Sequence, residues 1–168
     1  GIVGLSTALR VVEDVQNAEV TVIAEKFYNE TTSFGAAGLW EPYQLAGTPD
    51  SLVNEWGQQA FDHFLKLYNS REAGAVGVQL LTVYQLFQNG EDTTPPSWKE
   101  IVFNYARLTS DDLRKMGLPS RFVSGASFGT LVVEQRLYLH WLYRKLEMMG
   151  VKFIQQRVES LNQLSGYK

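Results

Sequence analysis

Apolar residues change their spacing along the chain, and the changes mark out its elements. Residues 6–15 carry apolar positions at helical intervals, and 19–24 is a β-branched run that ends against the acidic Glu25. Helical spacing returns over 56–68. Residues 77–84 then alternate as a strand does, 89–96 is a loop with Asn-Gly and Pro-Pro, and 99–108 and 124–133 predict two further strands. An antiparallel meander is the expected arrangement of those three. Residues 138–149 predict an amphipathic helix stopped by Gly150, which suits a left-handed cap, and the alternation over 151–158 predicts a last strand. Tyr84, Phe87, Trp98 and Phe103 are read as core and are assigned no function.

The first residues add chemistry to this pattern. Gly1-Ile2-Val3-Gly4-Leu5-Ser6-Thr7-Ala8-Leu9 reads as the last four residues of a G-x-G-x-x-G turn and its helix. In that device the pyrophosphate sits on the helix N-terminus and a later carboxylate holds the ribose. Glu25 follows Gly4 by 21 residues, near the spacing of about 20 that such an acid has. The same residues would also serve as an ordinary helix and strand of an α/β core. A strand and a first glycine are expected ahead of Gly1, and without that strand the isolated chain is expected to have an open sheet edge and poor solubility.

Composition narrows the classes. With 168 residues, 45% hydrophobic and 20% charged, the chain can form one domain or unequal parts of two. No apolar run approaches the roughly 20 residues of a membrane span. The net charge of −3 is scattered, so no nucleic-acid surface is expected. There is no cysteine, and the two histidines, His63 and His140, read as ordinary helical residues, so no metal is expected.

A second block, Thr31-Thr32-Ser33-Phe34-Gly35-Ala36-Ala37-Gly38-Leu39-Trp40-Glu41-Pro42-Tyr43, joins hydroxyls to small residues and then to aromatics. Hydroxyls and closely approaching backbone amides suit phosphates or a flat ring. The block reads equally as a tightly packed glycine-rich loop.

At these residues the chain resembles the D-amino-acid oxidase and D-aspartate oxidase family of FAD-dependent oxidoreductases. The markers are Gly-Ile-Val-Gly-Leu-Ser-Thr-Ala, the acid at the strand end, Thr-Thr-Ser and Ala-Ala-Gly-Leu-Trp-x-Pro-Tyr, in that order. Asn54-Glu55-Trp56, Pro96-Ser97-Trp98-Lys99, Ala106-Arg107-Leu108-Thr109, Tyr138-Leu139-x-Trp141-Leu142 and Gly150-Val151-Lys152-Phe153 carry the likeness along almost the whole chain.

The resemblance implies an α/β fold, mixed α+β overall. Residues 1–43 would open a partial Rossmann-like FAD-binding sheet, 44–149 would be mainly an inserted antiparallel substrate-domain portion with connecting helices, and 150–168 would return to the FAD-binding domain. By residue-by-residue matching it implies that Gly1, Ile2, Val3 and Gly4 cover the FAD pyrophosphate. Glu25 would hold the ribose with Lys26 beside it, and Thr31, Thr32 and Ser33 would meet phosphates. Ala37, Gly38 and Leu39 would bring amides to the phosphates and the flavin, and Val158 would meet the adenine through its backbone.

The implied reaction passes the α-hydrogen of a D-amino acid to the flavin as hydride, hydrolyses the imino acid and yields hydrogen peroxide from O₂. The catalytic residues are expected beyond Lys168. A homodimer is left open, and the implied location is the peroxisomal matrix in a eukaryote and the cytoplasm otherwise.

Family members acting on neutral substrates tend to carry Gln where this chain has Glu41, on the substrate side. A carboxylate there repels an acidic substrate, by about 4 kcal/mol for like charges 4 Å apart at an effective dielectric of 20, before screening. Neutral or basic D-amino acids are therefore expected over D-aspartate. The stretch Ser70-Arg71-Glu72-Ala73-Gly74-Ala75-Val76-Gly77-Val78 points the other way, toward the D-aspartate oxidase pattern. Another FAD amine oxidoreductase and a non-catalytic nucleotide-fold protein are the remaining readings.

Overall fold

A computed structural model describes residues 1–43, 45–91 and 93–166. Asp92 of the expected 89–96 loop and positions 167 and 168 of the expected last segment lie outside the described residues. The chain divides into two compact units. Unit 1 holds Gly1–Gly38, Ala75–Gly77 and the chain from Glu134 onward; unit 2 holds Leu39–Gly74 and Val78–Val133. The expected boundaries at 43 and 149 therefore differ from the contact boundaries. Leu39 bridges to Val132 and Trp40 donates its amide to Leu131 O at 2.8 Å, which ties 39–43 to unit 2.

In unit 1, helix α1 (Ile2–Asp14) buries Leu5, Ala8 and Leu9 on one stripe. Strand β1 (Thr21–Ala24) pairs in parallel with β5 (Lys152–Gln155), from Thr21 opposite Lys152 to Ala24 opposite Gln155. Helix α5 (Gln135–Met148) buries Tyr138, Leu139, Trp141, Leu142 and Leu146. It packs on α1, with Lys145 Nζ 3.1 Å from Glu13 Oε1. This packing places α5 in unit 1 rather than in the middle segment. Gly150 closes α5 at φ +84°, and Val151 donates back to Leu146 O at 3.0 Å.

Two expectations change here. Helix α1 begins four residues before position 6, because its first turn is capped by Ser33, a partner remote in sequence. The last strand stops at Gln155 rather than 158, because four-residue β1 has no more ladder to offer, and Val158 lies beyond the strand.

Unit 2 is built on three antiparallel strands, β2 (Val78–Gln88), β3 (Phe103–Leu108) and β4 (Phe122–Val133). Their order is β2-β4-β3, so the expected meander is corrected. The reason is burial: β4 carries Ala126, Phe128, Thr130, Leu131 and Val133 fully inside, which requires a neighbour on each side. Gly125 of β4 permits the approach of β2, since a Cβ there would lie 2.6 Å from Gln85 O.

Helix α2 (Asp50–Tyr68) turns Val53, Gly57, Phe61 and Leu67 inward. Short helix α3 spans Ala73–Val76. Helix α4 (Ser110–Lys115) starts from a capping box between Thr109 and Asp112. Residues expected as the start of a strand at 99 form a 3₁₀ turn, Ser97–Glu100, because the Trp98 ring packs between Trp40 at 5.8 Å and Phe128 at 5.4 Å. Trp98 is core as expected and Phe87 is half-buried, whereas Tyr84 is 52% exposed and Phe103 37%. No helix among the described residues is long and apolar enough to cross a membrane.

Candidate functional site

The glycine turn of unit 1 is seated on the hydroxyl block. Gly1 is the N-cap of α1 without a side chain to offer, and Ile2 N–H donates to Ser33 Oγ at 3.0 Å. A Cβ on Gly1 would lie 2.7 Å from Ser33 Oγ and 3.9 Å from Thr31 Cβ, so only glycine fits the approach unless Ser33 turns away. Val3 and Gly4, in the same turn, present amides that have no acceptor inside the helix. Thr31 lies between two 3₁₀ turns, Tyr28–Glu30 and Thr32–Gly35, and its hydroxyl donates to Tyr28 O at 2.8 Å. Thr32 is exposed. The structure thus brings Gly1 and Ile2 to Ser33 and Thr31, and it commits the Ser33 oxygen to the helix.

Behind this turn α1 rests on Tyr138. Burial pushes that phenol up to about 12, against a hydrogen bond with Ser6 that lowers it, so it stays protonated at neutral pH.

A cavity of about 410 Å³ opens where β1 and β5 end. Ile23, Ala24, Glu25, Gln156, Arg157 and Val158 line it. The carboxyl ends of parallel strands are where open α/β sheets take their ligands. Glu25 and Val158, 133 positions apart by subtraction, share this cavity; Lys26 follows Glu25 but is not in its lining.

Two neighbours were not legible in the sequence. Gln155 Nε2 donates to Glu25 O at 3.1 Å, and the Arg157 guanidinium stands 4.0 Å from the Glu25 carboxylate. That ion pair is exposed and is worth about 1 kcal/mol or less. Only adjacency to Val158 hinted at Arg157.

Ala37 and Gly38 belong to unit 1, Leu39 and Glu41 to unit 2. Glu41 is half-buried and accepts a hydrogen bond from Gln85 Nε2 on β2. Burial raises its carboxyl above the usual carboxylate range, while the Gln85 hydrogen bond acts in the opposite direction.

His140 lies in α5 with its ring 6.1 Å from that of Tyr28, and His63 lies in α2 beside Phe64. Among the described residues no group of three or more His, Asp or Glu is placed to hold a metal ion.

A glycine approach that a Cβ would fill, free helix amides, and an acid at the strand-end cavity form a set suited to a dinucleotide. The family model described as FAD dependent oxidoreductase matches residues 1–167, and the chain belongs to that family. D-aspartate oxidase from Homo sapiens is 35% identical over 98% of this chain and 47% of that protein. D-amino-acid oxidase from Rubrobacter xylanophilus is 30% identical over 97% of this chain and 46% of that protein. The chain spans about half the length of the curated relatives it matches. Among solved structures, glycine oxidase from Bacillus cereus superposes with a TM-score of 0.63 at 18% identity, covering 95% of this chain and 47% of that one, and shows the fold. FAD is the cofactor of the family.

The Gly1 approach gives a direct test of fit. In the full-length enzyme, Gly1→Ala is expected to turn Ser33 away and leave Ile2 N–H without its acceptor. Loss of a helix cap costs about 1 kcal/mol, so the FAD dissociation constant should rise about fivefold to tenfold. Titration of apoenzyme by flavin fluorescence reads this directly, and an affinity within twofold of the unchanged enzyme would remove the Ser33 contact from the account.

Proposed function

We propose that the full-length enzyme carrying this chain oxidises D-amino acids, converting amino acid, O₂ and water to a 2-oxo acid, ammonia and hydrogen peroxide, with neutral or basic side chains preferred over D-aspartate. The carrying observation is the glycine turn seated on Ser33 in the same unit as an acid-lined cavity at two parallel strand ends, in a chain of this family. FAD supplies the acceptor for the hydride that leaves the substrate α-carbon.

The residues of the chain bind and orient. The free amides of Val3 and Gly4 would face the pyrophosphate, while Ser33 takes up the Ile2 N–H and holds the turn of Gly1 and Ile2 in shape. Exposed Thr32 adds an uncharged donor, Thr31 having given its hydroxyl proton to Tyr28 O; Glu25 would accept from the ribose hydroxyls with Lys26 beside it, and the Val158 backbone would meet the adenine. Small Ala37 and Gly38, with Leu39, let backbone amides come close to the phosphates and the ring. Unit 1 is then the FAD-binding portion and unit 2 a substrate-domain portion.

Glu41 sets the preference. As an anion on the substrate side it opposes a second carboxylate and attracts an ammonium or guanidinium. The 35% identity to the human D-aspartate oxidase favours a second reading, in which D-aspartate is the substrate.

Purified full-length protein should show flavin absorbance and release peroxide from D-alanine and D-arginine, not from their L-enantiomers, and only slowly from D-aspartate. Glu41→Gln should raise the ratio of kcat/KM for D-aspartate over D-alanine about tenfold, which corresponds to about 1.4 kcal/mol, a screened fraction of the bare repulsion. A preference for D-aspartate in the unchanged enzyme would replace this reading with the second. Flavin without D-amino-acid-dependent peroxide would point to a different amine oxidoreductase.

A further inference from the structure

Glu41 sits on backbone that is held on both sides. Trp40 donates its amide to Leu131 O and accepts the Thr130 hydroxyl on its carbonyl, both at 2.8 Å. Pro42 O accepts the Trp98 indole N–H at 3.1 Å. The Trp40 ring is packed edge-on against Phe61 at 5.0 Å. What freedom remains to Glu41 is rotation of its own side chain, and Gln85 Nε2 restrains that by donating to Oε1.

Half-burial disfavours the charge of Glu41, and Gln85 restores part of it. Packing does not explain such an arrangement, since an apolar side chain at 41 would fill the space without desolvating a carboxylate. An anion kept in a poorly hydrated place, on rigid backbone and with its own hydrogen-bond donor, is the pattern of a group whose direction matters.

We infer that Gln85 is a positioning residue for substrate selection, anchoring the Glu41 carboxylate in one direction before substrate arrives. The inference rests on the role proposed above for Glu41. A glutamate without an anchor has three rotatable bonds and swings toward water when a second anion approaches, which relieves the repulsion. An anchored one cannot, so the discrimination against D-aspartate is kept.

The surroundings are consistent with a dedicated pair. Gln85 lies opposite Ala126, a small residue on β4, and Arg107 of β3 is the partner of Ala126 on its other side. The Arg107 guanidinium lies 3.4 Å from Thr93 Oγ1, and Tyr105 of the same strand stacks on Phe128. The 3₁₀ turn contributes Lys99 and Glu100, paired at 3.7 Å. Helix α2 contributes Asp50, Glu55, Asp62, His63 and Lys66, of which Asp62 accepts from Gln58. None of these charges is among the causes of the Glu41 shift, which are burial and the Gln85 hydrogen bond.

The test uses full-length holoenzyme as the unchanged protein, Glu41→Gln, Gln85→Leu and the double variant, with kcat/KM for D-aspartate and D-alanine measured from pH 5.5 to 9. In the unchanged enzyme, protonation of Glu41 relieves the repulsion, so the D-aspartate to D-alanine ratio should rise as pH falls. Gln85→Leu removes a hydrogen bond that favours the anion, so the inflection should move to higher pH and the ratio near neutrality should rise about threefold to fivefold. In the Glu41→Gln background the same substitution should change nothing, because its effect runs through the carboxylate.

Gln85→Asn, one methylene shorter, should behave as Gln85→Leu does and guards against a leucine that perturbs the sheet. If Glu41→Gln alters the ratio while the Gln85 variants leave both ratio and inflection in place, the positioning role is overturned and the reading of Glu41 stands. A Gln85 effect that persists in the Glu41→Gln background also overturns it. If Glu41→Gln itself leaves the ratio unchanged, the substrate reading falls and takes the positioning role with it.

Discussion

Phe61→Ala is expected to destabilise the protein by about 3–5 kcal/mol, the range for deleting a large buried aromatic whose cavity does not collapse. Phe61 is 2% exposed on α2, and its ring meets Trp40 at 5.0 Å and Phe103 at 5.4 Å, so three elements of unit 2 lose contacts together. Rigid neighbours prevent repair: Trp40 is fixed by its hydrogen bonds to Leu131 and Thr130, and Phe103 is set against Gly129, where a Cβ would lie 3.2 Å from Phe103 Cβ. In a full-length enzyme about twice as long as this chain the melting temperature should fall by roughly 4–7 °C. Thermal unfolding of the full-length variant beside the unchanged enzyme provides the comparison. A fall of under 2 °C would mean that the core is not organised around this ring.

Gly125→Ala has a different cause, overpacking. The added Cβ would stand 2.6 Å from Gln85 O, and that atom belongs to the backbone of the neighbouring strand, so no side chain can turn aside. Strands β2 and β4 must separate locally, at a cost of about 1–3 kcal/mol or more. The displaced residue is Gln85, so the variant should also loosen the hold on Glu41 and raise the D-aspartate to D-alanine ratio of kcat/KM. Stability is read by thermal unfolding and the hold by the ratio. A protein as stable as the unchanged one would show that the two strands have slack there.

How much of this was legible in the sequence follows the range of the interactions involved. Helix α5 and its Gly150 cap are local, set by apolar spacing and one left-handed residue, and both stand within a few positions of where the pattern puts them. The early start of α1 was not legible, because its capping oxygen comes from Ser33, 31 positions away. Strand order was hidden for a related reason. Periodicity reports which residues face inward, but the central place of β4 depends on two partners that the strand's own residues do not name.

The candidate sites divide the same way. Glu25 at the end of a strand was legible from spacing, and β1 does end at Ala24. Its neighbours Gln155 and Arg157 come from the other end of the chain. The surroundings of Glu41 were not legible: the donor from Gln85 and the clamps on Trp40 and Pro42 all arise from unit 2 packing.

The parallel pairing of β1 with β5 joins Thr21 to Lys152, a separation of 131 residues by subtraction, whereas the widest pairing among the three strands of unit 2, Val78 with Val133, spans 55. Loop closure of that length is slow, and synthesis delivers β5 after all three antiparallel strands. On the ribosome the inserted sheet therefore has its partners first, while β1 waits for β5 until residue 155 has emerged. The parallel pair of unit 1 is thus completed only after the antiparallel sheet between its two strands has been made.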